Sequence, residues 1–168
     1  MAIVPNIFRS WRQPRVVMRA LLAQGPREDR ALATLMAACA IVFVSLWPAQ
    51  SRLAFLDAAL PEAQRIPLEA RIAGAAFGAI FVLPLLAYTL AALSHILARA
   101  FGGRGSGWRV RMALFWSMLA VAPAVLLQGL VAGFIGPGAA LNLVGLVLAA
   151  GFFAIWGASL RVAEFEAP

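Results

Sequence analysis

The chain has 168 residues, 63% of them hydrophobic and 12% charged, with a mean hydropathy of +0.88. A soluble domain of this size is closer to half apolar and a quarter charged, so too few charges exist to face water all round. The net charge of +7 comes from 14 arginines and no lysine against seven acids. These arginines sit beside apolar runs, which points to membrane topology and anionic lipid rather than to nucleic acid.

In chain order, residues 1–25 form an amphipathic segment. Asn6 caps a first turn carrying Ile7, Phe8 and Trp11, and Pro14 suits the first position of a second helical piece. There Val17, Met18, Leu21 and Leu22 share one face, with Arg12, Arg15 and Arg19 on another. A basic, Trp-bearing helix of this kind is expected to lie in the headgroup plane. Arg9, Arg12, Arg15 and Arg19 interrupt any signal-peptide h-region. Gly25 ends the segment.

A first membrane span is expected over about 31–47, opened by Pro26 with Glu28 and Asp29 in its first turn and closed by Trp47-Pro48. Residues 49–66 make a loop in which Leu53, Phe55, Leu56 and Leu60 form a short turn before Pro61. After Pro67 comes a second span over about 72–99, with Pro84 in its middle and Gly102-Gly103 as its stop. A third span covers 110–134 with Pro123 in its middle. Ile135-Gly136-Pro137-Gly138 is a tight turn, the fourth span covers 139–160, and 161–168 is a tail. The expected fold is therefore all-α: an integral membrane bundle of four transmembrane helices, residues 26–160, with an N-terminal amphipathic interfacial helix.

Arginine placement orients this bundle. Eleven of the 14 lie on the side of the N-terminal segment, the Arg99–Arg111 loop and Arg161, which makes that side cytoplasmic and places both termini there. Trp11, Trp108 and Trp156 mark the same face and Trp47 the other. An arginine-only basic set beside so much Ala, Gly and Pro fits a GC-rich bacterial genome, hence the inner membrane.

The second span ends in His95-Ile96-Leu97-Ala98-Arg99-Ala100-Phe101-Gly102-Gly103-Arg104-Gly105-Ser106, a His-x-x-x-Arg-x-x-Gly-Gly-x-Gly-Ser pattern followed by a Pro-bearing helix. This resembles the Yip1 family of small membrane proteins, the bacterial branch most closely. The Trp11-Arg12-Gln13-Pro14-Arg15-Val16-Val17-Met18-Arg19 and Arg27-Glu28-Asp29-Arg30 stretches look like its alphaproteobacterial members. Most family members are described with five spans, against the four counted here. The resemblance implies a non-enzymatic membrane protein that binds partners, with no catalytic residues and no cofactor.

The residues themselves agree with that expectation. One His and one Cys cannot make a multi-histidine metal centre or an intrachain disulfide, and the seven acids lie in loops, helix ends or the tail. Five arginines, Arg12, Arg15, Arg19, Arg104 and Arg109, are candidates for anionic phospholipid headgroups. His95 is a candidate polar switch, weighed against an ordinary cation at a helix C-terminus. Gly74 with Gly78, and Gly129 with Gly133, have the spacing that lets membrane helices touch closely, within the monomer or with itself or another membrane protein. Pro84 and Pro123 are expected kinks that free the carbonyls of Ile80 and Leu119. The alternative reading is a small solute transporter or channel lined by the second and third spans, with Tyr88, Thr89 and Gln128 as its polar groups.

Overall fold

The computed structural model describes residues 3–166 as helices joined by short turns, with no strand among them. The first two residues of the expected N-terminal segment and the last two of the tail lie outside the described residues. Two short helices, α1 (Ile3–Ser10) and α2 (Pro14–Leu22), precede the long α3 (Glu28–Asp57). Pro14 occupies the first turn of α2, and Gly25 turns the chain with φ +82°. A 3-10 turn over Glu62–Gln64 leads to α4 (Leu68–Phe77), a π turn over Gly78–Val82, and α5 (Leu83–Ala100). Then come α6 (Gly107–Ala120), α7 (Ala122–Phe134) and α8 (Ala139–Phe165).

Three runs are long and apolar enough to cross a membrane: α3, the run within Glu62–Ala100, and α8. The count rises to four if α6 and α7, which meet at a 45° bend, make one broken span. The runs alternate in direction. Glu28 at the start of α3 pairs with Arg111, and His95 near the end of α5 pairs with Glu164 at the end of α8. At the other end of the bundle Asp57 pairs with Arg71, and Arg52 donates to the carbonyls of Gly133 and Phe134 at 3.3 and 3.4 Å. The first end carries both described chain termini and is called the terminal end below; the second is the loop end.

Pro48 and Pro84 are accommodated differently from expectation, whereas the kink expected at Pro123 coincides with the 45° bend, and each outcome has a local cause. Helix α3 does not stop at Trp47-Pro48; Pro48 lies inside it and the helix continues to Asp57. Pro84 sits in the first turn of α5, immediately after the π turn, where Leu83 N–H reaches back to the Gly78 carbonyl. The widened turn absorbs the missing proton donor without a break. Pro123 sits in the first turn of α7, so the break falls just before it, at Val121.

The core is built around α6. Ten of its residues are buried, among them Trp108, Met112, Phe115, Trp116 and Leu119, and it packs on α3, α5, α8 and the N-terminal helices. Large apolar side chains such as Leu85, Leu93, Leu143, Leu146 and Phe153 point outward from the long runs. A bundle whose long helices are apolar on their outer faces is covered by lipid. Helix α7 lies against α3 with backbones almost touching. A Cβ on Gly129 would overlap the Ser45 carbonyl, and one on Gly133 would overlap Pro48. Gly74 and Gly78 have open space where their Cβ atoms would be.

Candidate functional site

Two constructions occupy the terminal end, and the first is a clasp on Glu164. The loop after α5 begins as a Schellman turn: Gly102 takes φ +87° and donates to Arg99 O at 3.1 Å, while Gly103 N–H donates to Ala98 O at 2.8 Å. This aims the next residues at α8. Arg104 N–H donates to the Glu164 carbonyl at 2.8 Å, and Gly105 N–H donates to Glu164 Oε2 at 2.9 Å. The other carboxylate oxygen bonds His95 Nδ1. Glu164 is 0% exposed, so its carboxyl oxygens depend on these partners for hydrogen bonds. A Cβ on Gly105 would overlap the Ala163 carbonyl, and one on Gly103 would lie 2.8 Å from both Ala98 O and Glu164 Oε2. The glycines are there for this close approach.

Arg109 completes the clasp from α6. Its Nε donates to Ala163 O at 2.9 Å and its terminal nitrogen to Val162 O at 3.1 Å. These are last-turn carbonyls of α8 that lack helical partners, at the negative end of its dipole.

The second construction is a hairpin of α1 and α2. Ile3 at its start and Leu21 near its end line one crevice, so the two helices fold back on each other around Trp11-Arg12-Gln13. The α2 stripe Val17, Met18, Leu21 and Leu22 is buried against α6 and α8. This corrects the expectation that the stripe rests in the headgroup plane: the apolar face is covered by protein, because α6 and α8 leave it a matching apolar seat. Helix α1 is turned the other way. Asn6 and Ser10 face inward, and Ile3, Val4 and Phe8 face outward. The Ser10 hydroxyl donates to Asn6 O at 2.7 Å and accepts from Trp116 Nε1 at 2.9 Å.

At the hairpin tip, Trp11 Nε1 donates to Ala120 O at 2.9 Å. Ala124 N–H, which an unbroken helix would direct to that carbonyl, bonds Val121 O instead. The indole therefore satisfies the acceptor that the α6–α7 break leaves open. Its ring lies on Gly151 of α8, where a Cβ would come within 2.6 Å. Trp11 and Trp108 thus do not stand as free interface markers: Trp11 plugs the break and Trp108 is buried.

The structure sorts the sequence candidates. Arg19 forms a two-point pair with Glu166, at 2.7 and 3.1 Å, and with Arg109 lines a shallow groove. The Arg19 hydrogen bond holds the Glu166 carboxyl below its usual range, with charge from Arg15 and Arg109 adding to the effect. Arg15, Arg19 and Arg109 therefore gather at one place. Arg12 is exposed at the hairpin tip, and Arg104 points outward while its backbone joins the clasp. His95 belongs to the clasp, Gly129 and Gly133 to the α3–α7 contact, and Gly74 and Gly78 to neither. Sequence reasoning missed Glu164, which it assigned to a tail. The available signal was the apolar spacing Leu160, Val162, Ala163, which carries α8 past Leu160 and brings Glu164 onto a helix.

A helical bundle with long lipid-facing runs and no water-facing core defines a multi-pass membrane protein. The Yip1 domain matches residues 8–164, nearly the whole chain, and the chain belongs to the Yip1 family. No curated protein and no solved structure is significantly similar to it.

Proposed function

We propose that this chain is a four-span protein of a bacterial inner membrane, with both termini in the cytoplasm, and that it acts through lipid and protein contacts rather than catalysis. In this reading the α6–α7 pair is the third of the four crossings, one span broken at the 45° bend. The observation that carries the reading is the surface of the hairpin. It turns Ile3, Val4 and Phe8 outward on α1, and α2 carries exposed Arg15 and Arg19 beside Arg109. Apolar area next to arginine is what an anionic membrane surface binds. As an accessory subunit or membrane organiser, such a protein would use this face for lipid and its outer helix faces for neighbours.

The solute-path reading gains less support. The cleft of about 450 Å³ between the kinked runs is lined by residues such as Val42, Leu83, Leu86, Val125, Leu148 and Phe153. Thr89 bonds its own helix at Leu85 O, and Tyr88 packs edge-on against Phe115.

Cysteine labelling tests the topology on which this reading depends. In a Cys39→Ser background, Leu60→Cys should react with a membrane-impermeant maleimide from the periplasmic side and Arg104→Cys only from the cytoplasmic side. Labelling of both from one side would end the four-span reading.

A further inference from the structure

Beside the hairpin tip lies an open groove of about 770 Å³, lined by Phe8, Arg9, Arg12, Pro123, Ala124 and Leu127 among others. Two features make it unusual. Its walls are the first turns of α7, part of a membrane-length apolar run, yet two guanidinium groups stand at its edge. Arg9 is committed only through Nε, which donates to Gln13 Oε1 at 3.3 Å, and Arg12 makes no hydrogen bond or ion pair among the described residues. The tip is also deep. Trp11 rests on Gly151, near the midpoint of α8, about 18 Å from its first residue and about 21 Å from its last at 1.5 Å per residue. In a hydrocarbon layer of about 30 Å, that level lies inside the bilayer rather than at its surface.

An arginine at such depth is costly unless it snorkels or draws polar matter to itself. The fork of a guanidinium matches a phosphodiester with two parallel hydrogen bonds. We infer that the groove binds one glycerophospholipid, its phosphate held by Arg9 and Arg12 and its acyl chain laid along Pro123, Ala124 and Leu127. The headgroup then sits below the surrounding headgroup plane, and the leaflet is thinned around the hairpin. This rests on the membrane-contact reading above but names a different place from the Arg15–Arg19–Arg109 surface.

Native mass spectrometry of the full chain released from detergent tests it, with phosphatidylglycerol, diacylglycerol and inorganic phosphate as probes. The wild type should retain one phosphatidylglycerol, no diacylglycerol, and lose none to inorganic phosphate. The Arg9→Gln/Arg12→Gln variant should lower that occupancy by about tenfold or more, equivalent to about 1.4 kcal/mol. The Arg99→Gln/Arg161→Gln variant, which removes as much charge elsewhere, should keep it. Leu127→Trp, which fills the groove with the arginines intact, should also lose the lipid. A wild type without bound phospholipid, displacement by inorganic phosphate, unchanged binding in the tip variant, or a protein dimer in the lipid's place would each overturn the assignment. If topology labelling still succeeds in that event, the groove alone is wrong and the membrane-contact reading stands.

Discussion

A carboxylate in the last turn of a helix faces the negative end of the helix dipole, an unfavourable position. Glu164 occupies it, fully buried, with His95 Nδ1 and Gly105 N–H on its two carboxyl oxygens. Its removal leaves those partners in a buried place with nothing to bond. Glu164→Ala should therefore cost about 1–3 kcal/mol, the usual penalty for leaving a buried donor unsatisfied. Glu164→Gln, which keeps an acceptor for Gly105, should lose less. Thermal unfolding in detergent, followed by circular dichroism, orders the two. Equal melting temperatures for Glu164→Ala and wild type would show that the clasp bears no load. His95 is thereby given a specific partner, which its lone position near a helix end did not disclose.

Among the elements, the α3–α7 contact and the open face of α4 make a paired experiment. Gly129 has no room for a methyl group against the Ser45 carbonyl, and Gly74 has nothing nearby. Gly129→Ala should destabilise by about 1–3 kcal/mol through overpacking. Gly74→Ala should be neutral or stabilising by up to about 1 kcal/mol from helix propensity alone. Melting temperatures of both variants under one detergent condition decide the matter, and a larger loss at Gly74 would assign that face a contact of its own. The Gly-x-x-x-Gly spacing was legible for both pairs and made them look alike. Spacing reports that a helix has a flat side; only the neighbouring helix determines whether the flat is filled. The prolines teach the same distinction. Each was visible as an interruption, but one was absorbed inside α3, one by a π turn, and one became a break that an indole from the N-terminal hairpin fills.

For the molecule as a whole, the hairpin is fastened at the terminal end by Arg19–Glu166 and by the buried stripe of α2. Because the Arg19 hydrogen bond depresses the folded-state pKa of Glu166 below the ordinary carboxyl value of about 4.5, the pair's contribution is present above that pH and is lost as pH falls through the folded value. Acidification below about 4.5 should therefore loosen α2 before the spanning helices respond. Hydrogen exchange over residues 14–22 should rise there in the wild type. Arg19→Gln should raise exchange already at neutral pH; a wild-type profile flat across this window would remove the pair from the hairpin's attachment.

Composition and hydropathy alone settled that the protein is helical and lipid-covered, since the backbone amides of a greasy chain must bond internally. The positions of the turns, from Gly25 through Gly102 to Gly136, were equally local, because left-handed backbone favours glycine wherever it occurs. Tertiary structure decided what each amphipathic or polar feature faces. The stripe of α2 meets protein instead of lipid, Glu164 becomes the centre of a clasp rather than part of a tail, and Trp11 completes a helix more than a hundred residues away. The reason is that periodicity encodes which side of a helix is apolar, whereas the partner on that side depends on contacts between residues far apart in the chain.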